Sequence, residues 1–319
     1  MYKDILPYDE VKSKIDNAKS ITILSHLNPD ADALGTALGI YNLLVQDKSK
    51  KVEVVNASTS LPRYLDFLPN FKKIKHHMDY VDSFIISCDC GSIDRLGFDL
   101  KGREILNIDH HDSSTKYGSI NVVLPYYASS SQVAFKLFSK DYTINVDVAT
   151  CFYTALLSDT RYFTTSSVNE EVFTVAKELV SLGAKPDEIA TFFTQRRALS
   201  SLRILERALA SLALKNEAQV AVLSVTKEDI AASGAMAADM DGIIDYAKSL
   251  VTVKIAIFAM EVDEGIRISL RSKGIDISKI AIAFGGGGHK VAAGFTLKND
   301  SLEESIDAVL YEIENLQIL

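Results

Sequence analysis

The sequence predicts an α/β protein of two domains, the first built on a mainly parallel, doubly wound sheet. In the first half of the chain, apolar strand-like runs alternate with helix-like patterns, the arrangement typical of βαβ units. Acidic and imidazole side chains directly follow several of these strands. A long helical pattern begins after Pro186, and the shorter strands beyond it indicate a second, smaller α/β domain.

The composition is that of a globular protein without a membrane segment. Of the 319 residues, 47% are hydrophobic and 24% are charged, which argues against extensive disorder. No apolar run approaches the roughly 18 residues needed to span a bilayer, so we expect no membrane partner. We expect a cytoplasmic protein, because no secretory signal begins the chain and its 3 cysteines have no disulfide-framework spacing. The net charge of −8 argues against binding of long duplex nucleic acid, which favours a basic surface.

The first domain, residues 1–186, is predicted to begin with a short helix over residues 11–18. Short apolar segments are then predicted as strands over 21–24, 51–55, 83–89, 104–112 and 119–124. Helices are predicted over 33–46, 61–68, 128–140 and 145–158. Because strand and helix alternate, we expect the carboxyl ends of the parallel strands to share one edge of the sheet.

Side chains that commonly bind metals occur at four places, three of them at strand ends. They are His26, Asp30 and Asp32, then Asp89, then Asp109, His110 and His111, and finally Asp159 at a helix end. Several have an ordinary structural explanation: Asp32 could cap the next helix, Asp89 could end a turn, and Asp159 could pair with Arg161. Burying so many carboxylates together is costly without cations, which favours a metal site. Only tertiary packing can bring Asp159 to that site.

The ligand types indicate which ions suit the predicted site. Carboxylates with neutral imidazoles suit Mn²⁺, Mg²⁺ or Fe²⁺, and no cysteine thiolate is needed. There are enough ligands for two ions, and paired ions are the usual device for phosphoester hydrolysis, with one carboxylate bridging them. The sequence therefore predicts a metal-dependent phosphoesterase with two divalent ions, and the ligand types leave Mn²⁺, Mg²⁺ and Fe²⁺ open.

The same residues resemble, in order, the four motifs of the DHH phosphoesterase superfamily. The resemblance covers about the first 190 residues and includes the segment 26–33, Asp89, Asp109-His110-His111 and Asp159. It implies that His26 and Asp30 bind one ion, that Asp32, His110 and Asp159 bind the other, and that Asp89 bridges both. It also implies that Asp109 supports the site and that His111 contacts the reacting phosphate.

A linker helix over 187–214 and a second domain over 215–319 are predicted for the rest of the chain. Strands are expected over 219–225, 251–260 and 266–272, and helices near 239–249, 276–284 and 301–316. Four consecutive glycines, Gly285 to Gly288, precede His289. Glycines destabilise regular structure, so this run predicts backbone held close to another group. The run could form an anion nest near a helix start, or a flexible turn.

The glycine run and Arg271-Ser272 together resemble the DHHA1 substrate-binding domain. The resemblance implies that the substrate's distal nucleotide is held by Arg271, Ser272, Gly286, Gly287, Gly288 and His289. The domain order and the length resemble the NrnA-type branch, nanoRNases (oligoribonucleases) that also act as pAp phosphatases. This branch implies hydrolysis of short RNA oligonucleotides to mononucleotides, and of 3′-phosphoadenosine 5′-phosphate (pAp) to AMP and phosphate.

The sequence leaves other substrates open, and two residues depart from the family pattern. Cyclic dinucleotides of the c-di-AMP type, or linear dinucleotides, are alternative substrates, and the protein could form a homodimer. A non-catalytic nucleotide sensor is disfavoured because the ligand set is intact. Arg161 stands where a glycine is usual after Asp-Thr, and Gln132 stands where an acidic residue is expected. Neither residue is a predicted ligand, and both could alter substrate preference.

Overall fold

The structure, a computed structural model, describes residues 6–298 and 301–319. The chain divides into two compact units, one ending at Arg196 and the other beginning at Arg197. The strands of the first unit are β1 (Ser20–Ser25), β2 (Lys51–Val55), β3 (Phe84–Cys88), β4 (Ile105–Asp109) and β5 (Ile120–Val123). Its helices are α1 (Tyr8–Asn17), α2 (Ala31–Leu44), α3 (Ser130–Phe138), α4 (Val146–Asp159), α5 (Glu170–Ser181) and α6 (Pro186–Thr194).

The first unit contains the predicted doubly wound sheet, which confirms the fold class. Its five strands are all parallel, in the order β2-β1-β3-β4-β5. The strand order reverses between β1 and β3, and ligands of open α/β sheets bind at such a point, outside the carboxyl ends of the strands. Ser25 lies opposite Cys88, and Cys88 lies opposite Ile108, so β1, β3 and β4 end at nearly the same level.

Both faces of this sheet are covered, which explains why its strands are continuously apolar. Ile23 of β1 belongs to a large buried cluster, whereas the next residue, Leu24, belongs to a smaller buried cluster. Helices α2 and α4 pack closely at Gly35, where an added Cβ would lie 2.8 Å from both the Ala155 Cβ and the Cys151 carbonyl oxygen. This close packing holds α4, which ends at Asp159, against α2.

The second unit contains a mixed sheet with helices, which confirms the predicted smaller α/β domain. Its strands are β6 (Ala213–Lys215), β7 (Val220–Val225), β8 (Ile255–Val262), β9 (Gly265–Ser272), β10 (Gly287–His289) and β11 (Ala292–Leu297). Its helices are α7 (Leu199–Ala210), α8 (Lys227–Ser233), α9 (Ile243–Ser249), α10 (Ser278–Ala283) and α11 (Leu302–Asn315). The strand order is β10-β11-β9-β8-β7-β6; β7 and β8 pair in parallel, and the other neighbouring strands of this order pair antiparallel.

The segment predicted as one linker helix over 187–214 differs from the prediction. It contains two helices, because α6 ends at Thr194 and α7 begins at Leu199. The division between the units lies in this break, where Arg196 donates hydrogen bonds of 2.7 and 3.2 Å to Asp66. The apolar periodicity continues through both helices, so the pattern did not reveal the break.

Two smaller differences concern the first unit. The helix predicted over 61–68 is only a 3-10 turn, Arg63–Leu65, and α5 was not among the predicted elements. Among the residues that the structure describes, no helix is both long and apolar enough to cross a bilayer.

Candidate metal centre

The loop after β1 places three predicted ligands at the carboxyl edge of the sheet. His26 is buried, and Asp30 caps α2 by accepting a hydrogen bond from the Ala33 amide at 3.0 Å. Asp32 lies in the first turn of α2 and is only 2% exposed. The ordinary explanation for Asp32, capping of α2, is therefore wrong, because Asp30 has that role.

Asp32 is held instead by the N-terminus of α3. Its carboxylate accepts hydrogen bonds from the Ser130 amide at 2.7 Å, the Ser131 amide at 3.2 Å and the Thr36 hydroxyl at 3.2 Å. Unsatisfied amides at a helix N-terminus favour an anion at this position. The Ser130 hydroxyl also donates to Asp89 at 2.9 Å, so one residue holds two carboxylates.

Ser130 is not predicted by the sequence pattern, because a serine at a helix start usually indicates only a cap. The cap of α3 is Ser129, whose hydroxyl accepts a hydrogen bond from the Gln132 amide. The remaining signal was the run of three serines, Ser129 to Ser131, which supplies more hydroxyl groups than one helix cap requires.

Asp89 lies between two imidazoles at the end of β3. Its φ of 55° is uncommon for a residue other than glycine, and its amide donates to the Ile108 carbonyl at 2.9 Å. One carboxylate oxygen lies 3.6 Å from Nε2 of His110, and the other lies 3.6 Å from Nε2 of His26. Each oxygen of Asp89 therefore faces a different imidazole.

The Asp109-His110-His111 segment is ordered by the carboxylate of Asp109, which is fully buried at the end of β4. One oxygen of Asp109 accepts hydrogen bonds from the amides of His110 and His111 at 2.8 and 3.2 Å. Nδ1 of His111 lies 2.7 Å from the same oxygen and carries the proton, because a carboxylate can only accept. Nδ1 of His110 contacts the Tyr127 carbonyl at 3.2 Å, while Nε2 lies 3.5 Å from Asp159.

The structure brings all six predicted metal ligands together, with His111 beside them. Within each of three groups, one ligand atom per residue lies within 4.8 Å of the others. The groups are His26, Asp30 and Asp89; Asp32, His110 and Asp159; and Asp89, His110 and His111. These oxygen and imidazole donors suit Mn²⁺, Mg²⁺ or Fe²⁺, as the ligand types predicted.

The carboxylates of this cluster repel one another. Burial and the nearby charge of Asp89 raise the pKa of Asp32 well above its usual range. Burial, together with the charges of Asp89 and Asp30, raises the pKa of Asp159 to about 8. A divalent cation would supply the positive charge that stabilises the ionised forms of these side chains.

The histidines favour the ionised form of Asp89, whereas the carboxylates disfavour ionisation of one another. Burial disfavours ionisation of Asp89, but the interaction with His26 and the charges of His110 and His111 hold the pKa of Asp89 well below its usual range. Burial lowers the pKa of His111, but the hydrogen bond to Asp109 and the charge of Asp89 outweigh burial. Together they raise the pKa of His111 to about 9. Asp89 is therefore the cluster carboxylate that ionises most readily.

The two departures from the family pattern both have local structural roles. Gln132 is buried, and its side-chain oxygen accepts a hydrogen bond of 2.8 Å from the amide of Ala128, the residue before the Ser129 cap of α3. Arg161, Tyr162 and Phe163 take φ values of 45°, 59° and 63°, three left-handed residues in succession without a glycine. Such residues each cost roughly 1–2 kcal/mol. The strained turn immediately follows the helix that ends at Asp159.

In the second unit, the predicted substrate-binding residues lie on β9, on β10 and just before β10, and both strands pair with β11. Ser272 ends β9, and its hydroxyl donates to the Ile275 carbonyl. Arg271 pairs in register with Ala292 of β11. Gly287, Gly288 and His289 form the edge strand β10, which is exposed.

The prediction of an anion nest at a helix start is wrong. The glycine run follows the end of α10 and enters β10, because the chain turns back there to pair with β11. An added Cβ at Gly286 would clash with the Gly294 carbonyl, and one at Gly288 would lie 2.5 Å from the Ala292 carbonyl. An added Cβ at Gly287 would meet no atom within 4 Å. Two of the glycines are thus required by the hairpin itself.

Comparison with known proteins agrees with both domain resemblances. Residues 20–156 match the model described as the DHH family, N-terminal domain, and residues 217–316 match the DHHA1 domain. The chain is 31% identical over 300 residues to the Thermus thermophilus bifunctional oligoribonuclease and PAP phosphatase NrnA, with coverage of 91% of this chain and 88% of that protein. The Bacillus subtilis protein of the same name is 23% identical, with coverage of 93% and 94%.

A solved structure extends this similarity to the whole fold. It is described as an exopolyphosphatase-related protein from Bacteroides fragilis and is 28% identical to this chain. The TM-score is 0.89, and the alignment covers 97% of this chain and 96% of the other. With both domains matched in order, the chain belongs to the DHH/DHHA1 family of metal-dependent phosphoesterases.

Proposed function

We propose that this protein is a two-metal phosphodiesterase and phosphatase. It hydrolyses short oligoribonucleotides to mononucleotides, and pAp to AMP and phosphate. The observation that carries the proposal is the position of Asp89, between the imidazoles of His26 and His110 at 3.6 Å from each. The names of the Thermus and Bacillus relatives support the choice of substrates, and they make a cyclic dinucleotide the less favoured alternative.

The proposed metal ligands form two sets that share Asp89. One set is His26 and Asp30, the other is Asp32, His110 and Asp159, and the proposed ions are Mn²⁺, with Mg²⁺ and Fe²⁺ as alternatives. Bound ions would polarise the phosphate and make water a better nucleophile. Asp109 keeps the proton on Nδ1 of His111 and so orients this ring. A protonated His111 would stabilise negative charge that develops on the phosphate.

The proposed role of the second unit is to hold the nucleotide distal to the cleaved phosphate. The residues concerned are Arg271, Ser272, Gly286, Gly287, Gly288 and His289. The exposure of β10, the edge strand of its sheet, supports this role. The open position at Gly287 would allow a base or sugar to approach the backbone closely.

Product analysis in Mn²⁺ tests the proposed function. We expect release of AMP from pAp and of mononucleotides from an RNA dinucleotide, with little product from a roughly 24-residue RNA or from cyclic di-AMP. Chromatography of the products from all four substrates gives the comparison. Faster cleavage of cyclic di-AMP would contradict the proposed substrate class, and inactivity on all four with metal bound would contradict an enzymatic role.

Replacement of Ser130 by alanine is expected to weaken Mn²⁺ binding by about tenfold or more. The change removes the hydroxyl that orients Asp89, and loss of such outer contacts commonly costs 10–100-fold in metal affinity. Ser131→Ala is the matched control, because the Ser131 hydroxyl contacts Ser129 and no proposed ligand. Calorimetric Mn²⁺ titration of both variants gives the result. Equal affinities in the two would show that Ser130 does not position Asp89.

A further inference from the structure

Arg95 lies beside the proposed metal centre, and a backbone hydrogen bond to Leu27 fixes its position. It belongs to the 3-10 turn Ile93–Leu96, shortly after Asp89. Its carbonyl accepts a hydrogen bond of 2.7 Å from the Leu27 amide, which joins this turn to the loop that carries His26. The residue is exposed, and its Nη2 lies 3.1 Å from Nδ1 of His26.

The contact between Arg95 and His26 is not a hydrogen bond when His26 binds an ion. Nε2 of His26 faces Asp89, so Nε2 is the nitrogen available for a shared metal. Nδ1 then carries the proton and donates to the Leu27 carbonyl, which lies 2.8 Å away. A guanidinium only donates, so it gains nothing from a second donor. Its donors at this edge therefore suit an acceptor other than His26.

The guanidinium of Arg95 has no carboxylate partner among the residues that the structure describes. Over the described ranges, 6–298 and 301–319, no Asp or Glu forms an ion pair with Arg95, whereas Arg196 pairs with Asp66 and Arg207 with Asp229. An exposed arginine held beside a cluster of metal ligands matches the needs of a bound phosphate. The planar guanidinium can donate two parallel hydrogen bonds to phosphate oxygens.

We infer that Arg95 binds a phosphate group of the nucleotide substrate at the edge of the metal centre. The inference rests on the proposed function, because it requires a phosphate ester at this site. The first unit then contacts the substrate through a fixed cation as well as through the ions. The chemical class of ligand is a nucleotide phosphate, and the contact recognises the phosphate and not the base.

Calorimetric titration of the Mn²⁺-loaded protein with AMP, and with adenosine as the probe without phosphate, tests this inference. Arg95→Gln is expected to raise the Kd for AMP about tenfold or more, the usual effect of losing a charge-assisted hydrogen bond. The adenosine and Mn²⁺ affinities are expected to stay unchanged. Arg95→Lys keeps the charge but loses the planar fork, so its AMP Kd is expected to lie between those of wild type and Arg95→Gln.

Controls separate this inference from the proposed function and from misfolding. Arg203→Gln changes an exposed arginine of α7 in the second unit and is expected to bind AMP like wild type. Thermal unfolding of the metal-free variants checks that each is folded.

Unchanged AMP binding by Arg95→Gln in a protein that hydrolyses pAp would overturn the inference alone. Equal losses of Mn²⁺ and AMP binding would also overturn it, because Arg95 would then only position His26. Wild type that fails to hydrolyse pAp and the dinucleotide would refute the proposed function itself.

Discussion

Replacement of Asp89 by asparagine is expected to lower kcat for pAp and for an RNA dinucleotide by about 10³-fold or more. The amide keeps the size of the side chain but removes the negative charge and one oxygen ligand of the proposed bridge. Metal ions contribute several kcal/mol of transition-state stabilisation, and each 1.4 kcal/mol corresponds to a factor of ten in rate. Steady-state kinetics in saturating Mn²⁺ measures the effect.

A matched control for this variant lies at the opposite end of the same strand. Asp82 is exposed and precedes β3, whereas Asp89 follows it, so Asp82→Asn changes the same residue type away from the cluster. We expect Asp82→Asn to retain wild-type kcat. Circular dichroism checks that both variants are folded. A kcat for Asp89→Asn within threefold of wild type would exclude Asp89 as the shared ligand.

Mn²⁺ is expected to raise the Tm of EDTA-treated protein by roughly 5–10 °C at pH 8, and by clearly less at pH 6. Binding at 100 times Kd stabilises a protein by about 2.7 kcal/mol, and each kcal/mol shifts Tm by about 2–4 °C for a unit the size of the first one, which ends at Arg196. At pH 6 the ion must displace the proton from Asp159, whose pKa is raised to about 8. Differential scanning calorimetry with and without Mn²⁺ at both pH values gives the comparison.

The metal-free protein is expected to become less stable as the pH rises from 6 to 8. In this range the folded state binds more protons than the unfolded chain, because burial and neighbouring carboxylates raise the pKa of Asp159 to about 8, from an unfolded value of about 3.9. His111 has the same sign: its pKa is about 9 when folded and about 6.5 when unfolded, so its stabilising contribution is lost as the pH rises through this interval.

The variant Asp159→Asn tests the origin of both pH effects. It removes a titrating carboxylate and a proposed ligand, so the metal-free Tm should depend less on pH and Mn²⁺ should stabilise the protein less. A Tm gain from Mn²⁺ that is equal at pH 6 and pH 8 would show that proton displacement from Asp159 does not accompany metal binding.

The sequence alone was sufficient to predict the fold class and the order of the proposed ligands. Apolar strands alternating with helices predict a parallel sheet, and the carboxyl ends of such strands meet at one edge. His26, Asp89 and His110 follow three of these strands, so the strand pattern alone predicts that they approach one another. The glycine run Gly285 to Gly288 was less informative, because glycines that the β10–β11 hairpin requires give the same pattern as glycines that contact a ligand.

Only the tertiary structure decided which distant residues join this site. Asp159 reaches His110 because α4 packs closely against α2 at Gly35, a contact between helices far apart in sequence. Ser130 is 41 positions from Asp89, and Arg95 is 69 positions from His26, so no local spacing could relate these pairs. The physical reason is that periodicity reports which face of an element is buried, whereas packing determines which elements meet. The sequence by itself thus determined the sheet and the proposed ligands at its strand ends. The packing of α3, of α4 and of the 3-10 turn Ile93–Leu96 determined which other residues surround these ligands.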